Sequence, residues 1–378
     1  SNITKVIGPN MLFAPPAIAS DPFSILTKTN QINDILTYGV TNYDKIFETK
    51  ENIFDVYSEF SEDEVPQLAV FHRKAVAHTK TIVSIQISSD ESSICTADSK
   101  GTLAIWDNDL ILKDKIETSK KRILCMVRSG TKLYLGFEDC IQIRDEKTGE
   151  LLHTIENVPA FNLDANENYI WVVSITGVLV INIETYEAVS IEELNAMPSY
   201  LAILGDTVWI VCSDRNIYLI DEETRVQKTK IDVSSYGRIT SLTLIDGRVW
   251  CCTDSGVIVW NYETHEIIKK IEGDHSGKVF GACKVGCRVW TYAWDSRICV
   301  YNEETLEYIG AAPRYHSDAI GGLACIYDKN FDCWRVFSSS WDQSVTVWLS
   351  KATEEEKSMY NGLNDTNVKE EEEEEEKE

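Results

Sequence analysis

One short phrase returns seven times along this chain. Each copy contains alternating apolar residues, then a bulky residue, then in most copies Asp or Asn, and then a turn that often ends in Thr. The copies are Thr102–Asp107, Cys140–Asp145, Gly177–Asn182, Asn216–Asp221, Gly256–Asn261, Arg297–Asn302 and Ser344–Leu349. Their last residues are 38, 37, 39, 40, 41 and 47 positions apart. Intervals of this length accommodate four short strands with their turns, so the chain is predicted to be a repeat protein.

Each repeat also contains further strand-like segments. A β-rich run precedes the phrase, an earlier apolar run such as Val279–Cys283 gives an innermost strand, and a later run such as Ile267–Ile271 gives an outermost strand. The pattern therefore predicts an all-β fold, a seven-bladed β-propeller of four-stranded blades over residues 65–351. The second strand of four successive repeats carries a tryptophan that we expect in the core: Trp171, Trp209, Trp250 and Trp290.

The two ends of the repeat region predict how the ring closes. The last repeat ends at Trp348 without an outer strand, whereas an unassigned strand-like run, Gln67–His72, precedes the first repeat. Closing a ring removes exposed sheet edges, so this run is predicted to complete the last blade. We attribute the longer final interval to an extended hairpin loop at residues 327–332.

Three repeats carry a histidine upstream of a Trp-Asp pair. The sets are His78 with Trp106-Asp107, His275 with Trp294-Asp295, and His316 with Trp341-Asp342. This arrangement resembles the WD-repeat family of propellers, with divergent middle repeats that lack the histidine. In that family a His, a Ser or Thr, an Asp and a Trp form a buried hydrogen-bonded network within a blade.

The resemblance implies network positions in the three repeats. They are His316, Ser338, Asp342 and Trp348 in the seventh repeat, His275, Thr291, Asp295 and Tyr301 in the sixth, and His78, Thr96 and Trp106 in the first, where Lys100 occupies the Asp position.

His316, Ser338 and Asp342 also have the composition of a hydrolase triad. We favour the structural role because the set recurs in the sixth repeat, and a catalytic site is not expected to recur from blade to blade. The sequence has no GxSxG, HExxH, Walker or strand-linked GxGxxG motif. The chain is therefore expected not to be an enzyme and to bind no cofactor or metal. A propeller hydrolase is the least favoured alternative and would need carboxylates or histidines at the channel mouth.

Two further tryptophans predict a binding surface. Trp294 and Trp341 each directly precede the turn Asp of their repeat, a position that in WD-repeat propellers faces the rim of the central channel. Tryptophan is over-represented among residues that dominate binding energy, so the pair suggests an anchor for a protein partner. Packing of each ring on its own blade is the equally favoured alternative. The equivalent residues of the other repeats are Ser99, Phe137, Ser174, Ser213 and Thr253.

Arginines from the same two repeats, together with the aromatic Phe137, extend the predicted surface. Arg297, Arg314 and Arg335 are expected to surround the tryptophans and to favour an acidic peptide or phosphopeptide. Solvated surface arginines are the more common alternative.

Composition limits the classes of partner. With 36 Lys and Arg against 61 Asp and Glu, the formal net charge is −25. Nucleic acids and anionic membranes are bound through cations, so both are disfavoured. The eleven cysteines lack paired CxxC spacing, which argues against zinc and suits reduced thiols in the cytoplasm, with the nucleus as the alternative. No run approaches the ~20 apolar residues of a membrane span.

The two ends of the chain differ from the repeats. Residues 1–64 are predicted to form an irregular extension with one short amphipathic helix within residues 44–60, where four aromatic residues occur at helical spacing. Residues 352–378 are predicted to form a disordered acidic tail.

These features together predict a non-catalytic scaffold or adaptor that presents a propeller face to protein or peptide partners, as a subunit of a multiprotein complex. The alternative is a regulatory propeller of a signalling assembly. It follows from the segment Val289–Asp295, which resembles propellers attached to inositol-polyphosphate phosphatases and Rho-type GTPase regulators.

Overall fold

The computed structural model describes residues 69–118, 121–192 and 194–359. Within these ranges the chain forms 28 β-strands and one short helix at residues 354–359. The strands are β1 (Val70–Val76), β2 (Ile82–Ile87), β3 (Ser93–Asp98), β4 (Thr102–Asp107), β5 (Leu112–Glu117), β6 (Cys125–Ser129), β7 (Lys132–Gly136), β8 (Cys140–Asp145), β9 (Leu151–Glu156), β10 (Asn162–Ala165), β11 (Tyr169–Ser174), β12 (Gly177–Asn182), β13 (Ala188–Ser190), β14 (Pro198–Leu204), β15 (Thr207–Cys212), β16 (Asn216–Asp221), β17 (Gln227–Asp232), β18 (Ile239–Ile245), β19 (Arg248–Thr253), β20 (Val257–Asn261), β21 (Ile267–Ile271), β22 (Val279–Val285), β23 (Arg288–Ala293), β24 (Ile298–Asn302), β25 (Tyr308–Ala311), β26 (Ile320–Asp328), β27 (Cys333–Ser340) and β28 (Ser344–Lys351).

The strands form seven four-stranded antiparallel sheets. Each consecutive set of four from β2 to β25 is one sheet, which gives blades 1 to 6, and β26, β27, β28 and β1 form blade 7. The first strands of the blades, β2, β6, β10, β14, β18, β22 and β26, are neighbours in a closed ring in which β26 lies next to β2. The seven-bladed propeller of four-stranded blades predicted from the sequence is confirmed.

Strand direction gives the disc two distinct faces. Four antiparallel strands return the chain to the end from which it started, so every first strand begins on the same face. This rim face carries the turns between second and third strands and the loops that connect blades. The opposite face carries the turns between first and second strands and between third and fourth strands.

The ring is closed by the N-terminal strand. β1 is the outermost strand of blade 7 and pairs antiparallel with β28, from Val70 opposite Leu349 to Val76 opposite Ser344. The sequence placed this strand at Gln67–His72, whereas it begins at Val70 and ends at Val76. Residues 67 and 68 lie outside the described residues.

Blade 7 differs from the others in strand length. β26 has nine residues, and β27 and β28 have eight each, whereas the strands of the other six sheets have three to seven. The expected hairpin loop at 327–332 is wrong, because only residues 329–332 separate β26 from β27. The long final interval therefore comes mainly from a taller sheet, whose extra pairs continue to Asp328 opposite Cys333, and partly from a turn of four residues where blade 6 has two.

The recurring Asp or Asn of the phrase has a local physical role. It ends the third strand, and its side-chain oxygen accepts hydrogen bonds from the backbone N–H groups two and three residues later. Asn302 Oδ1 lies 2.9 Å from the amides of Glu304 and Thr305, and Asp221, Asn182, Asn261 and Asp145 repeat this geometry. This turn sets the start of the fourth strand, which explains why Asp or Asn followed by Thr marks the repeat.

The core lies between blades. Seven clusters of buried apolar residues occur in the described residues, and each is shared by two adjacent sheets. The four tryptophans predicted as core are fully buried there: Trp171, Trp209, Trp250 and Trp290.

Two expectations fall outside this region. The amphipathic helix within residues 44–60 and most of the acidic tail, from residue 360 onward, lie outside the described residues. The first part of the tail predicted to be disordered at 352–378 is ordered instead: residues 354–359 form a helix, and Glu356 is buried and accepts a hydrogen bond from Trp334 Nε1. In the described part of the chain, no helix is long and apolar enough to cross a membrane.

Loss of the anchor on the closing strand is expected to destabilise the ring. Phe71 of β1 is 3% exposed, stacks on Tyr315 with ring centroids 4.3 Å apart, and meets Trp348 edge-on. Phe71→Ala should lower the free energy of unfolding in urea by about 3–5 kcal/mol, because it leaves a cavity at the closure. The matched variant Phe161→Ala removes a 44% exposed ring and should change it by less than about 0.5 kcal/mol. Equal effects would contradict the role of β1.

Candidate functional site

The network of blade 7 is complete. Ser338 lies on β27, Trp348 on β28, Asp342 in the turn between these strands, and His316 in the loop that leads into β26. His316 Nε2 lies 2.6 Å from Ser338 Oγ and Nδ1 lies 3.0 Å from Asp342 Oδ2. Trp348 Nε1–H donates to Ser338 Oγ at 3.0 Å. The serine hydroxyl therefore donates to Nε2, and Nδ1–H donates to the carboxylate.

The charge of Asp342 is compensated inside the blade. Burial raises the pKa of the Asp342 carboxyl, but the opposing effects of His316 and Lys74 are larger together, so the pKa lies below its usual range. Lys74 of β1 has its Nζ 3.8 Å from Asp342 Oδ2 and 2.8 Å from the carbonyl oxygen of Tyr315. The closing strand is thus tied to the network by charge as well as by packing.

Blade 6 contains a variant of the network. His275 Nδ1 lies 3.1 Å from both carboxylate oxygens of Asp295, and Nε2 lies 2.7 Å from Thr291 Oγ1. Tyr301 takes the place of Trp, and its hydroxyl donates a hydrogen bond to Asp274 Oδ2 at 2.9 Å. The phenol therefore extends the network into the loop that precedes His275.

Blade 1 corrects one assignment. His78 Nε2 lies 2.6 Å from Thr96 Oγ1, to which Trp106 Nε1–H donates at 2.8 Å, and His78 Nδ1 lies 2.8 Å from Asp98 Oδ2. Lys100 was expected at the Asp position, but Asp98, two residues earlier, supplies the carboxylate. Its other oxygen accepts the amides of Lys100, Gly101 and Thr102 and so also holds the turn.

These networks are closed to substrates. Ser338 and Thr291 are fully buried, and Ser338 Oγ is already occupied by His316 and Trp348. A nucleophile must be reachable and must face an oxyanion site, so the geometry favours a structural role for the triad-like residues.

A cavity of about 890 Å³ lies on the axis of the ring and reaches the rim face. Its wall includes residues from the first strands of all seven blades, with Trp341 and Arg122 at the rim. This volume falls in the range of small-ligand and side-chain pockets. Among the described residues that line it, Asp164 is the one carboxylate.

Asp164 is held in a fixed orientation in the channel wall. Its Oδ2 accepts the amide of Ile203 and its Oδ1 accepts the amide of Ala165, both at 2.9 Å. Burial raises the pKa of Asp164 to about 6, because the two amides offset only part of the desolvation. Asp164 was not predicted from the sequence, although it is the one charged residue of its strand β10.

Aromatic side chains form another part of the channel wall. Phe280 and Trp341 lie with ring centroids 5.6 Å apart, and both line the cavity with Tyr292 and Tyr200. Tyr292 belongs to a second strand and reaches the channel because Gly281 has no side chain; a Cβ there would clash with the phenol oxygen. Burial raises the pKa of both tyrosines, and the Asp164 charge adds to this effect at Tyr200.

The two predicted anchor tryptophans are exposed on the rim face. Trp294 is 56% and Trp341 37% exposed. Each backbone amide bonds to the loop that enters its own blade, Trp294 to the Lys278 carbonyl and Trp341 to the Ala319 carbonyl, both at 2.8 Å. Trp294 rests one edge on Gly277, so each ring is partly packed and partly free. The corresponding bonds in blades 1, 4 and 5 are made by Ser99, Ser213 and Asp254.

Two residues predicted for this surface lie elsewhere. Phe137 is fully buried between blades 1 and 2, because its ring turns into the apolar cluster rather than toward the rim. Arg335 is buried and lies 2.9 Å from Asp328 and 3.1 Å from Asp109, two residues of the opposite face. Neither belongs to the tryptophan surface.

The other two arginines remain on the rim face. Arg297 is half-buried, and its Nη1 lies 3.4 Å from the Asp274 carbonyl oxygen, while Arg314 is exposed. Exposed apolar residues of blades 3 and 4, which sequence analysis did not identify, extend this face: Phe161, Ile175 and Met197.

Comparison with known proteins gives a distant relative and a shared fold. No family model matches this chain. The Rho GTPase-activating protein gacL of Dictyostelium discoideum is 21% identical over an alignment 418 positions long, gaps included, which covers 92% of this chain and 56% of that protein. The chain thus spans a little more than half the length of this relative. The crystal structure of the computationally designed Ika8 protein superposes with a TM-score of 0.56 at 18% identity, covering 72% of this chain and 97% of that one. At this identity the likeness shows the fold alone.

Removal of the shared hydroxyl in blade 7 is expected to destabilise the protein. Ser338→Ala leaves Trp348 Nε1–H and His316 Nε2 without a partner in a dry interior, which should cost about 2–4 kcal/mol of unfolding free energy. Ser317→Ala, at the exposed neighbour of His316, is the matched control and should change it little. Denaturation of both variants in urea checks this. An unchanged midpoint for Ser338→Ala would contradict a structural network.

The raised pKa of Asp164 predicts a pH-dependent cost. The native state binds this proton more tightly than the unfolded chain, so the group favours the native state at acid pH, and that contribution is lost as pH rises through about 6. As pH rises from 4 to 7, the free energy of unfolding of Asp164→Asn should therefore increase by about 1–2 kcal/mol relative to that of the parent protein. This figure is kept below the full value that the pKa shift implies because the channel is open to water. Urea denaturation at several pH values checks this, with the exposed Asp114→Asn as control. A difference that stays constant with pH would contradict it.

Proposed function

We propose that this propeller is a non-catalytic protein-interaction platform of the WD-repeat type, whose binding face surrounds the channel opening at Trp294 and Trp341. The observation that carries the proposal is the exposure of two tryptophans on adjacent blades of one face. Large aromatic side chains are costly to leave in water, and they are enriched among the residues that dominate binding energy. The cavity beside Trp341 adds a concave site that a partner side chain can fill.

The remaining features support a platform rather than an enzyme. The triad-like residues are buried in structural networks, and the binding face carries aromatic and polar side chains in place of a converging catalytic set. We place this role in the cytoplasm, with the nucleus as the alternative, because the eleven cysteines, all within the described residues, form no disulfide bond and most are buried. The partners we expect are proteins or peptides within a multiprotein complex.

A second candidate is a regulatory propeller within a Rho GTPase signalling assembly. The observation that favours it is the likeness of nearly the whole chain to part of a Rho GTPase-activating protein. Because that relative is much longer than the matched region, only the platform role carries over to this chain, not GTPase activation itself.

Loss of both tryptophans is expected to remove the partner. Trp294→Ala/Trp341→Ala and the parent protein are used side by side for affinity capture, after circular dichroism and thermal melting have checked that both fold. The captured partner should be lost from the double variant, because its anchors are gone. The control Leu152→Ala/Ile268→Ala removes similarly exposed apolar side chains from the outer strands and should retain it.

The identity and pattern of the captured proteins separate the alternatives. Equal capture by all three proteins contradicts the tryptophan surface. A Rho-family GTPase or a polypeptide with a Rho GTPase-activating domain, lost only from the tryptophan variant, supports the second candidate. Partners unrelated to Rho signalling support the general platform.

A further inference from the structure

We propose that the axial cavity takes up one basic side chain, arginine or lysine, of a peptide ligand, with Asp164 as its counterion. This inference rests on the proposed protein-binding function and adds the chemistry of the ligand. It follows from three observations: an uncompensated carboxylate in the channel wall, acceptor positions left open on that carboxylate, and aromatic faces across the channel.

The carboxylate is fixed but not neutralised. The amides of Ile203 and Ala165 orient Asp164, and in the part of the chain that the structure describes no cation offsets its burial. The networks of blades 1, 6 and 7 pair their carboxylates with a histidine, as Asp342 is paired with His316 and also with Lys74. In the described residues Asp164 has no such partner although it lies in the wall of a cavity, and a carboxylate of this kind is suited to a cation supplied from outside.

The remaining lone pairs of the Asp164 carboxylate suit a donor group with two parallel N–H bonds. Each carboxylate oxygen of Asp164 accepts one backbone amide and keeps one further acceptor position. A guanidinium group donates two parallel N–H bonds to such a pair of oxygens, and an ammonium group donates to one or both.

The opposite wall suits the other side of a cation. In a ring of seven blades, blades 6 and 7 lie across the axis from blade 3, which carries Asp164. Phe280 and Tyr292 of blade 6 and Trp341 of blade 7 line that side, and Gly281 leaves the space through which Tyr292 reaches the channel. A cation between an aromatic face and a carboxylate gains both attractions where water is partly excluded.

The burial of the charged groups on this face favours a cationic over an anionic ligand. Arg335 is absent from this face and Arg297 is already engaged with Asp274. The cations that remain, such as Arg314 and Arg122, are exposed, so solvent and salt weaken their attraction for an acidic peptide. The Asp164 carboxylate lies inside the cavity, where screening is smaller.

The test uses peptides selected on the full chain. A phage-displayed library of random linear peptides is panned against the parent protein, and the enriched peptides are measured by titration calorimetry. They should share an Arg or Lys whose replacement by citrulline or norleucine, the neutral counterparts, weakens binding at least about tenfold. Asp164→Asn should weaken the same peptides by a similar factor, whereas Asp114→Asn, which removes an equal charge from the outer strand β5, should not.

The outcomes separate this inference from the platform on which it rests. Peptides that lose affinity for Trp294→Ala/Trp341→Ala but bind Asp164→Asn normally leave the platform intact and overturn the basic-side-chain inference. Peptides that lose affinity for Asp164→Asn alone support the channel site and contradict the tryptophan surface. Enrichment of peptides that share no Arg or Lys, or of none above an unrelated propeller, overturns the inference. The melting temperature of each variant checks that the fold is retained.

Discussion

Packing between neighbouring sheets is the interaction on which this structure depends. Each apolar cluster is shared by two blades, so no blade buries its own faces alone, and every interface requires both neighbours. A ring satisfies this requirement for all seven blades at once, provided that its two ends are joined. β1 joins them by pairing with β28, and Phe71 and Lys74 add an aromatic stack and a buried charge to that seam. The most elaborate network, that of His316, is in the blade where the ring closes.

The repeat could be predicted because its signals are local. The Asp or Asn that ends the third strand of blades 2 to 6 accepts hydrogen bonds from the amides two and three residues ahead, so one side chain sets a turn without help from distant contacts. The alternation of apolar residues within strands and the spacing of the turns then predicted the number of blades and the order of their strands. The predictions that failed depended on three-dimensional contacts. Asp98 replaced Lys100 because a carboxylate two residues earlier reaches the same histidine, and the extra length of blade 7 lies more in its strands than in its hairpin loop.

The candidate site was predictable only in part, for the same reason. Trp294 and Trp341 followed from their position before a turn Asp, which fixes them on the rim face. Arg335 was predicted on the same surface because it belongs to the same blade as Trp341. A strand runs from one face of the disc to the other, however, and Arg335 lies near the opposite face, beside Asp328. Asp164 was missed because its sequence neighbours, Leu163 and Ala165, do not show that six other strands surround it. Its unusual burial is a property of the closed ring.

The net charge of −25 is also distributed by the fold. In blades 2 to 6 each turn between third and fourth strands carries at least two glutamates, and these turns lie on the face opposite the tryptophans. The rim face instead has exposed cations, including Lys80, Lys100 and Arg314. Exposed charges act mainly on the rate and orientation of encounter, whereas a buried charge sets the affinity of what enters. At the proposed site, a ligand with acidic residues flanking one basic side chain would place its flanks at the rim cations and its basic group at Asp164. The acidic composition therefore does not by itself decide the charge of the partner, because the proposed binding face and the face that carries most of the excess charge are different.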